Sequence, residues 1–205
     1  MSIVEIETPH GLARAHLHGA EGPRAALVLG HGAAGGVTAP DLVAATDAAL
    51  SEGLAVALVE QPYRVAGRRS PAPPRQLDPA WIAVVEHLVG AELQGVPLVV
   101  GGRSLGARVA CRTAAETDAI GVLCLAFPLQ PRRKANPPPS RLPELDAVTV
   151  PTLVVQGERD QFGVPAPAAK REIVVVRGDH SLKTDPDAVS AAVAAWLHAL
   201  PGTAR

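Results

Sequence analysis

Three side chains in this chain are of types that together perform nucleophilic acyl transfer: Ser104, Asp160 and His180. A serine hydroxyl is a weak nucleophile at neutral pH, so a base must take its proton as it attacks. An imidazole can take that proton and later return it to the leaving group. A carboxylate behind the imidazole holds the required tautomer and stabilises the imidazolium. Ser104 lies in Gly102-x-Ser104-x-Gly106, with the apolar run Leu98-Val99-Val100 before it and a helical run from Ala107 after it. In that context the pattern reads as a nucleophile elbow, a strained strand-to-helix turn that presents the serine oxygen. The flanking glycines lack Cβ atoms and let neighbouring backbone pass close. The pentapeptide alone is weak in a chain with 19 glycines; the flanking elements and the downstream acid and histidine carry the reading.

Competing acids and histidines are separated by position. Asp179 adjoins His180 in sequence, which is awkward for reaching the ring of its own neighbour. Glu158 precedes the expected crest of its loop, and no acid follows the apolar run 120–127 until Glu144. Of seven histidines only His180 lies in the loop directly after the last strand. His10, His16 and His18 fall on an expected hairpin and should be exposed, His87 lies off the apolar stripe of its helix, and His198 is on a last helical turn. The stretch His31-Gly32-Ala33-Ala34-Gly35-Gly36 follows an apolar strand. It has neither the Gly-Lys-Ser/Thr ending of a P-loop nor dinucleotide-type glycine spacing. It reads instead as a loop whose small residues let a backbone N–H approach a substrate carbonyl. Ala33 N–H and Leu105 N–H, the latter just after the serine, are the expected oxyanion donors. His31 should brace this loop.

The elements that must position these groups follow from periodicity. Residues 3–8 and 12–18 alternate and read as an antiparallel pair around Pro9-His10-Gly11. Continuous apolar runs at 25–30, 54–59, 98–100, 120–127, 152–155 and 172–176 have the character of strands buried on both faces of a parallel sheet. Helices are expected over 40–51, from Asp78-Pro79 to about Val89, from 107, and from Asp185-Pro186 to about Leu200, with a short one possible at 165–170. Residues 61–77 and 128–150 are proline-rich loops. Alternating strands and helices imply a mostly parallel central sheet with helices on both faces, and chemistry gathers at the carboxyl ends of such strands. Ser104, Asp160 and His180 all lie just past strand ends.

With 205 residues, 47% apolar composition and net charge −1, the chain suits one domain, residues 1–205, and neither a disordered segment nor a generally basic nucleic-acid binder. Residues 1–8 carry Glu5 and Glu7 with no basic, then apolar, leader pattern, and no apolar run is long enough to span a bilayer. Cys111 and Cys124 lack metal-type spacing and read as buried free thiols, consistent with the cytoplasm. Arg64, Arg68, Arg69 and Arg75 follow one strand, Arg103 precedes the serine, and Arg132, Arg133, Lys134 and Arg141 follow another. With Tyr63, the residues Arg64, Arg68 and Arg103 are candidate substrate contacts, forming a positive rim for an anionic substrate. The opposing expectation is that such arginines are merely solvated, with Arg103 and Arg108 bracing the elbow.

As a set these residues resemble the small cap-less α/β-hydrolases related to dienelactone hydrolase. More closely, the chain resembles the group containing a testis-expressed hydrolase-like protein and the hydrolase-like domain of a histone-acetyltransferase complex subunit. The resemblance rests on His31-Gly32-Ala33-Ala34-Gly35, Pro62-Tyr63 with Gly67-Arg68-Arg69, residues 101–108, Phe127-Pro128-Leu129, Val155-Gln156-Gly157 with Arg159-Asp160 and Phe162-Gly163, and Gly178-Asp179-His180-Ser181. It implies a single-domain α/β-hydrolase fold without a cap, no metal or organic cofactor, and a small-molecule ester substrate rather than nucleic acid or a membrane. Dienelactone hydrolase has cysteine where this chain has Ser104, so its substrate does not transfer, and Gln161 stands where the group often has proline. Some members of the group serve as interaction subunits, so the rival class is a non-catalytic interaction module on the same fold. The retained Ser-Asp-His order favours the enzyme.

Overall fold

A computed structural model describes residues 2–19, 22–131 and 138–201. In chain order its elements are β1 (Ser2–Thr8), β2 (Gly11–His18), β3 (Ala25–Gly30), α1 (Pro40–Ser51), β4 (Leu54–Glu60), α2 (Pro62–Val65), α3 (Pro74–Gly90), β5 (Leu98–Arg103), α4 (Leu105–Thr113), β6 (Gly121–Leu125), α5 (Leu142–Asp146), β7 (Thr152–Gly157), β8 (Arg171–Val176) and α6 (Pro186–Ala199). The strands form one eight-stranded sheet in the order β1-β2-β4-β3-β5-β6-β7-β8. β1 and β2 pair antiparallel, β2 pairs antiparallel with β4, and every later pairing is parallel.

The apolar strands are buried on both faces because successive side chains point to opposite sides of the pleat. Ala26 and Val28 of β3, Val100 of β5 and Val154 of β7 face Trp81 and Leu88 of α3 and Val109 of α4. Leu27, Leu29, Val99, Leu153 and Val155 face Leu42 of α1 and Val193 and Leu197 of α6. The cysteines are free and buried, one on α4 and one on β6.

Several boundaries differ from expectation. α3 begins at Pro74 rather than at Asp78-Pro79. Pro74 occupies a first-turn position where the missing N–H is harmless, and the Asp78 carboxylate is taken by Arg112, at 2.8 and 2.6 Å, instead of capping a helix. The two proline-rich loops each contain a short helix, α2 and α5. Residues 165–170 form no helix: Ala168 and Arg171 make an isolated bridge, and Ala166 O accepts a 2.9 Å bond from Arg171 Nε. Two prolines in this short stretch remove backbone donors. His16 and His18 are half-buried rather than exposed, and His16 Nε2 lies 3.0 Å from Glu60 Oε2 on β4.

One close approach fixes the height of the elbow helix. A Cβ on Gly106 of α4 would run into the Gly30 carbonyl of β3. Gly106→Ala is therefore expected to cost about 1–3 kcal/mol by overpacking, read as a fall in Tm of roughly 2–4 °C per kcal/mol. An unchanged melt would contradict the close packing of α4 on β3.

Candidate active site

Ser104 is the hinge residue between β5 and α4, with φ +51° and ψ −100°. That conformation is sterically poor for any residue with a Cβ, and such outliers persist only where the surroundings enforce them. Here the Ser104 N–H donates to Leu125 O of β6 at 2.8 Å, tying the turn to the adjacent strand end. The geometry is that of the elbow expected from Gly102-x-Ser104-x-Gly106.

Ser104, His180 and Asp160 come together in one hydrogen-bonded line. His180 Nε2 lies 3.0 Å from Ser104 Oγ, and His180 Nδ1 lies 2.8 Å from Asp160 Oδ2. An ionised carboxylate only accepts, so Nδ1 carries the proton and Nε2 is free to accept from the serine hydroxyl. The Asp160 side chain is fully buried. Its Oδ1 accepts the Phe162 N–H at 2.9 Å, and its Oδ2 also accepts from Gln156 Nε2 at 2.7 Å. Phe162 then packs edge-on against the His180 ring, with centroids 4.6 Å apart. Gln156 is fully buried at the end of β7, where its Nε2 also meets the carbonyls of Phe127 and Gly163, each at 3.0 Å. Sequence reasoning gave Gln156 no role at the site. The available signal was one amide directly after the apolar run Leu153-Val154-Val155 of β7. Asp179 is exposed and accepts from Ser181 N and Oγ at 2.9 and 2.6 Å, which holds its carboxyl below the ordinary range. Glu158 pairs with Arg159 at 3.1 Å, away from the line.

The loop after β3 is held from two sides. His31 is buried, its Nδ1 lies 2.7 Å from Gly32 O, and its Nε2 accepts the Gln61 N–H at 3.2 Å. Since Nε2 must accept, Nδ1 carries the proton and donates to Gly32 O. Burial holds the His31 pKa below its usual value and keeps the ring neutral. Gly32 C=O and Ala33 N–H belong to one planar trans peptide and point in opposite directions. Anchoring the carbonyl therefore aims the N–H. Tyr63, expected among substrate contacts, instead donates its hydroxyl to Ala33 O at 3.1 Å and is buried. Burial pushes its phenol up to about 12, so it stays a neutral donor. Leu105 begins α4, where the first N–H groups have no intrahelical acceptor.

The arginines divide into two sets. Arg103, also expected to face substrate, turns its guanidinium to Asp41, with Nε 2.9 Å from Oδ2. Arg108 pairs with Glu144, and Arg112 with Asp78 and Glu144. Arg64 is half-buried, while Arg68, Arg69 and Arg75 are exposed; these four make no ion pair among the described residues. Arg132, Arg133 and Lys134 lie outside the described residues. Among the described residues, one cavity at this end of the sheet is lined by His10, Gln61, Tyr63, Arg68 and Leu77, and another by Phe162, Arg108, Arg141, Pro139 and Glu144. Among the described residues, no helix is long and apolar enough to cross a membrane.

Solved structures share this architecture. The serine hydrolase without a lid, XC6422 from Xanthomonas campestris, is 18% identical, with a TM-score of 0.74 over 98% of this chain and 96% of that one. Est1E from Butyrivibrio proteoclasticus is 16% identical, with a TM-score of 0.76 over 96% and 98%. A dienelactone hydrolase from Anabaena variabilis is 16% identical, with a TM-score of 0.73 over 96% and 95%. At such identities the likeness is one of fold. A search of curated proteins returned no match. The alpha/beta hydrolase domain family matches residues 23–197, which is most of the chain, and the protein belongs to that family.

Proposed function

We propose that the protein is a serine hydrolase that cleaves small carboxylic esters through an acyl-enzyme. Ser104 attacks the carbonyl, and His180 takes its proton and returns it to the leaving alcohol. Asp160 orients the ring, and the N–H groups of Ala33 and Leu105 hold the oxyanion. Water then repeats the sequence on the acyl-serine. The observation that carries this reading is the line from Ser104 Oγ through His180 to Asp160, at 3.0 and 2.8 Å, on a serine held at positive φ. The closer likeness to the testis-expressed and acetyltransferase-subunit group, and a cytoplasmic setting suggested by two free buried thiols, belong to the same proposal.

Small substrates are favoured by what connects β6 to β7. Among its described residues that segment holds only the five-residue helix α5, and several prolines interrupt it. A p-nitrophenyl ester series from acetate to palmitate should give the highest kcat/KM at short chains. Strong turnover of long triglycerides with interfacial activation would contradict the assignment.

The unpaired arginines after β4 support an anionic preference. Exposed cations raise the local concentration of an anionic ligand, and salt screens the effect. At low ionic strength a carboxylate-bearing ester should exceed its neutral analogue in kcat/KM. The advantage should shrink in salt and in Arg68→Ala/Arg69→Ala. No preference at low salt would leave those arginines as solvated surface.

A further inference from the structure

Arg103 ends β5, immediately before Ser104, and its guanidinium makes contacts in three directions. Its Nε lies 2.9 Å from Oδ2 of Asp41, a carboxylate with no solvent exposure. Its Nη2 donates to the backbone carbonyl of His180 at 3.2 Å. Its Nη1 fills the space beside Gly32, where a Cβ would approach it to 2.6 Å. One planar cation therefore touches the loop bearing the histidine and the loop bearing the Ala33 N–H, and is anchored from behind by the start of α1.

We propose that Arg103, anchored by Asp41, is a positioning residue that holds the His180 loop and the Ala33 loop in register about Ser104. The role rests on the reading of Ser104, His180 and Asp160 as the reacting group. Asp160 orients the His180 ring from its side chain, and Arg103 fixes the same residue through its backbone. Asp41 is a costly anchor. Burial raises its pKa to about 6, although Arg103 and the Leu42 N–H, at 3.0 Å, favour its charged form. A carboxylate whose folded pKa is raised stabilises the fold below its unfolded value and loses that contribution as pH rises through the folded value. At neutral pH the fold thus carries this charge at a penalty. An apolar pair of similar volume commonly serves packing at least as well as a buried ion pair. The geometry supplies the reason for keeping one: only a rigid fork reaches the carboxylate, the His180 carbonyl and the Gly32 wall together. Lysine, a point charge on a flexible stem, cannot reproduce this.

The test is steady-state kinetics on a short ester with Arg103→Ala, Arg103→Lys and Asp41→Asn, with Ser104→Ala alongside. Misplacing reacting groups by about 1 Å can cost roughly 10²-fold. Arg103→Ala should therefore lose about 10- to 10²-fold in kcat with KM nearly unchanged. Low-millimolar guanidinium should restore part of that loss in Arg103→Ala and do nothing for the wild type. Arg103→Lys keeps a cation beside Asp41 and should fold even if the alanine variant does not, with kcat only partly retained. Adding Asp41→Asn to Arg103→Ala should cost little more than the single change, because the two residues act as one unit. Wild-type kcat in Arg103→Ala or Arg103→Lys overturns the proposal. So does a rise in KM alone, which would make Arg103 a substrate contact. If Ser104→Ala kept its turnover, the nucleophile reading would fail and the positioning role with it. An inactive Ser104→Ala beside a fully active Arg103 variant would overturn the positioning role alone.

Discussion

Ser104→Ala should lower kcat on esters by on the order of 10³-fold or more while leaving the melting curve in place. The expectation follows from what the substitution removes and keeps. It deletes the hydroxyl that lies 3.0 Å from His180 Nε2. It keeps the Cβ, so the elbow at φ +51° is neither relieved nor worsened. The N–H bond to Leu125 O is backbone and survives. Residual turnover would come from the oxyanion donors and from binding, which do not need the serine. Turnover close to wild type in a folded Ser104→Ala would remove Ser104 from the mechanism.

Asp160→Asn should depress kcat by up to roughly 10⁴-fold, because the wrong histidine tautomer results. In the wild type Oδ2 accepts from both His180 Nδ1 and Gln156 Nε2, while Oδ1 accepts the Phe162 N–H. An asparagine that keeps its oxygen on Phe162 must turn an NH₂ toward two donors. The conflict at His180 is relieved if the imidazole moves its proton to Nε2. That nitrogen then cannot accept the serine proton. Asp179→Asn should change kcat little, since Asp179 is engaged with Ser181 in an exposed turn. The contrast is read from kcat and thermal melts of the two variants. A large loss in Asp179→Asn beside a mild one in Asp160→Asn would assign the wrong acid.

The line of Ser104, His180 and Asp160 was legible because each residue follows an apolar run, and runs buried on both faces stand out without partners to compare. The antiparallel start was legible from its alternation. The start of α3 was not. Asp78-Pro79 has the residue types of a helix entry, but Arg112, distant in sequence, claims the Asp78 carboxylate. Local rules cannot register such a partner. The same applies to Arg103. Read along the chain it is either a substrate contact or a brace of the elbow, and only the fold brings Asp41 behind it. Tyr63 was expected to meet substrate, and only the fold shows that its hydroxyl instead holds the Ala33 carbonyl. The direction of His31 was equally hidden, because its tautomer is set by the Gln61 N–H.

If Ser104 is a nucleophile activated by its neighbours, a covalent trap should capture it. A fluorophosphonate probe is incubated with the folded protein, and the adduct is mapped by peptide mass spectrometry. A single adduct is expected on the peptide carrying Ser104, absent in Ser104→Ala and formed much more slowly in Asp160→Asn. No adduct on folded wild-type protein, or one of equal extent in Ser104→Ala, would contradict it.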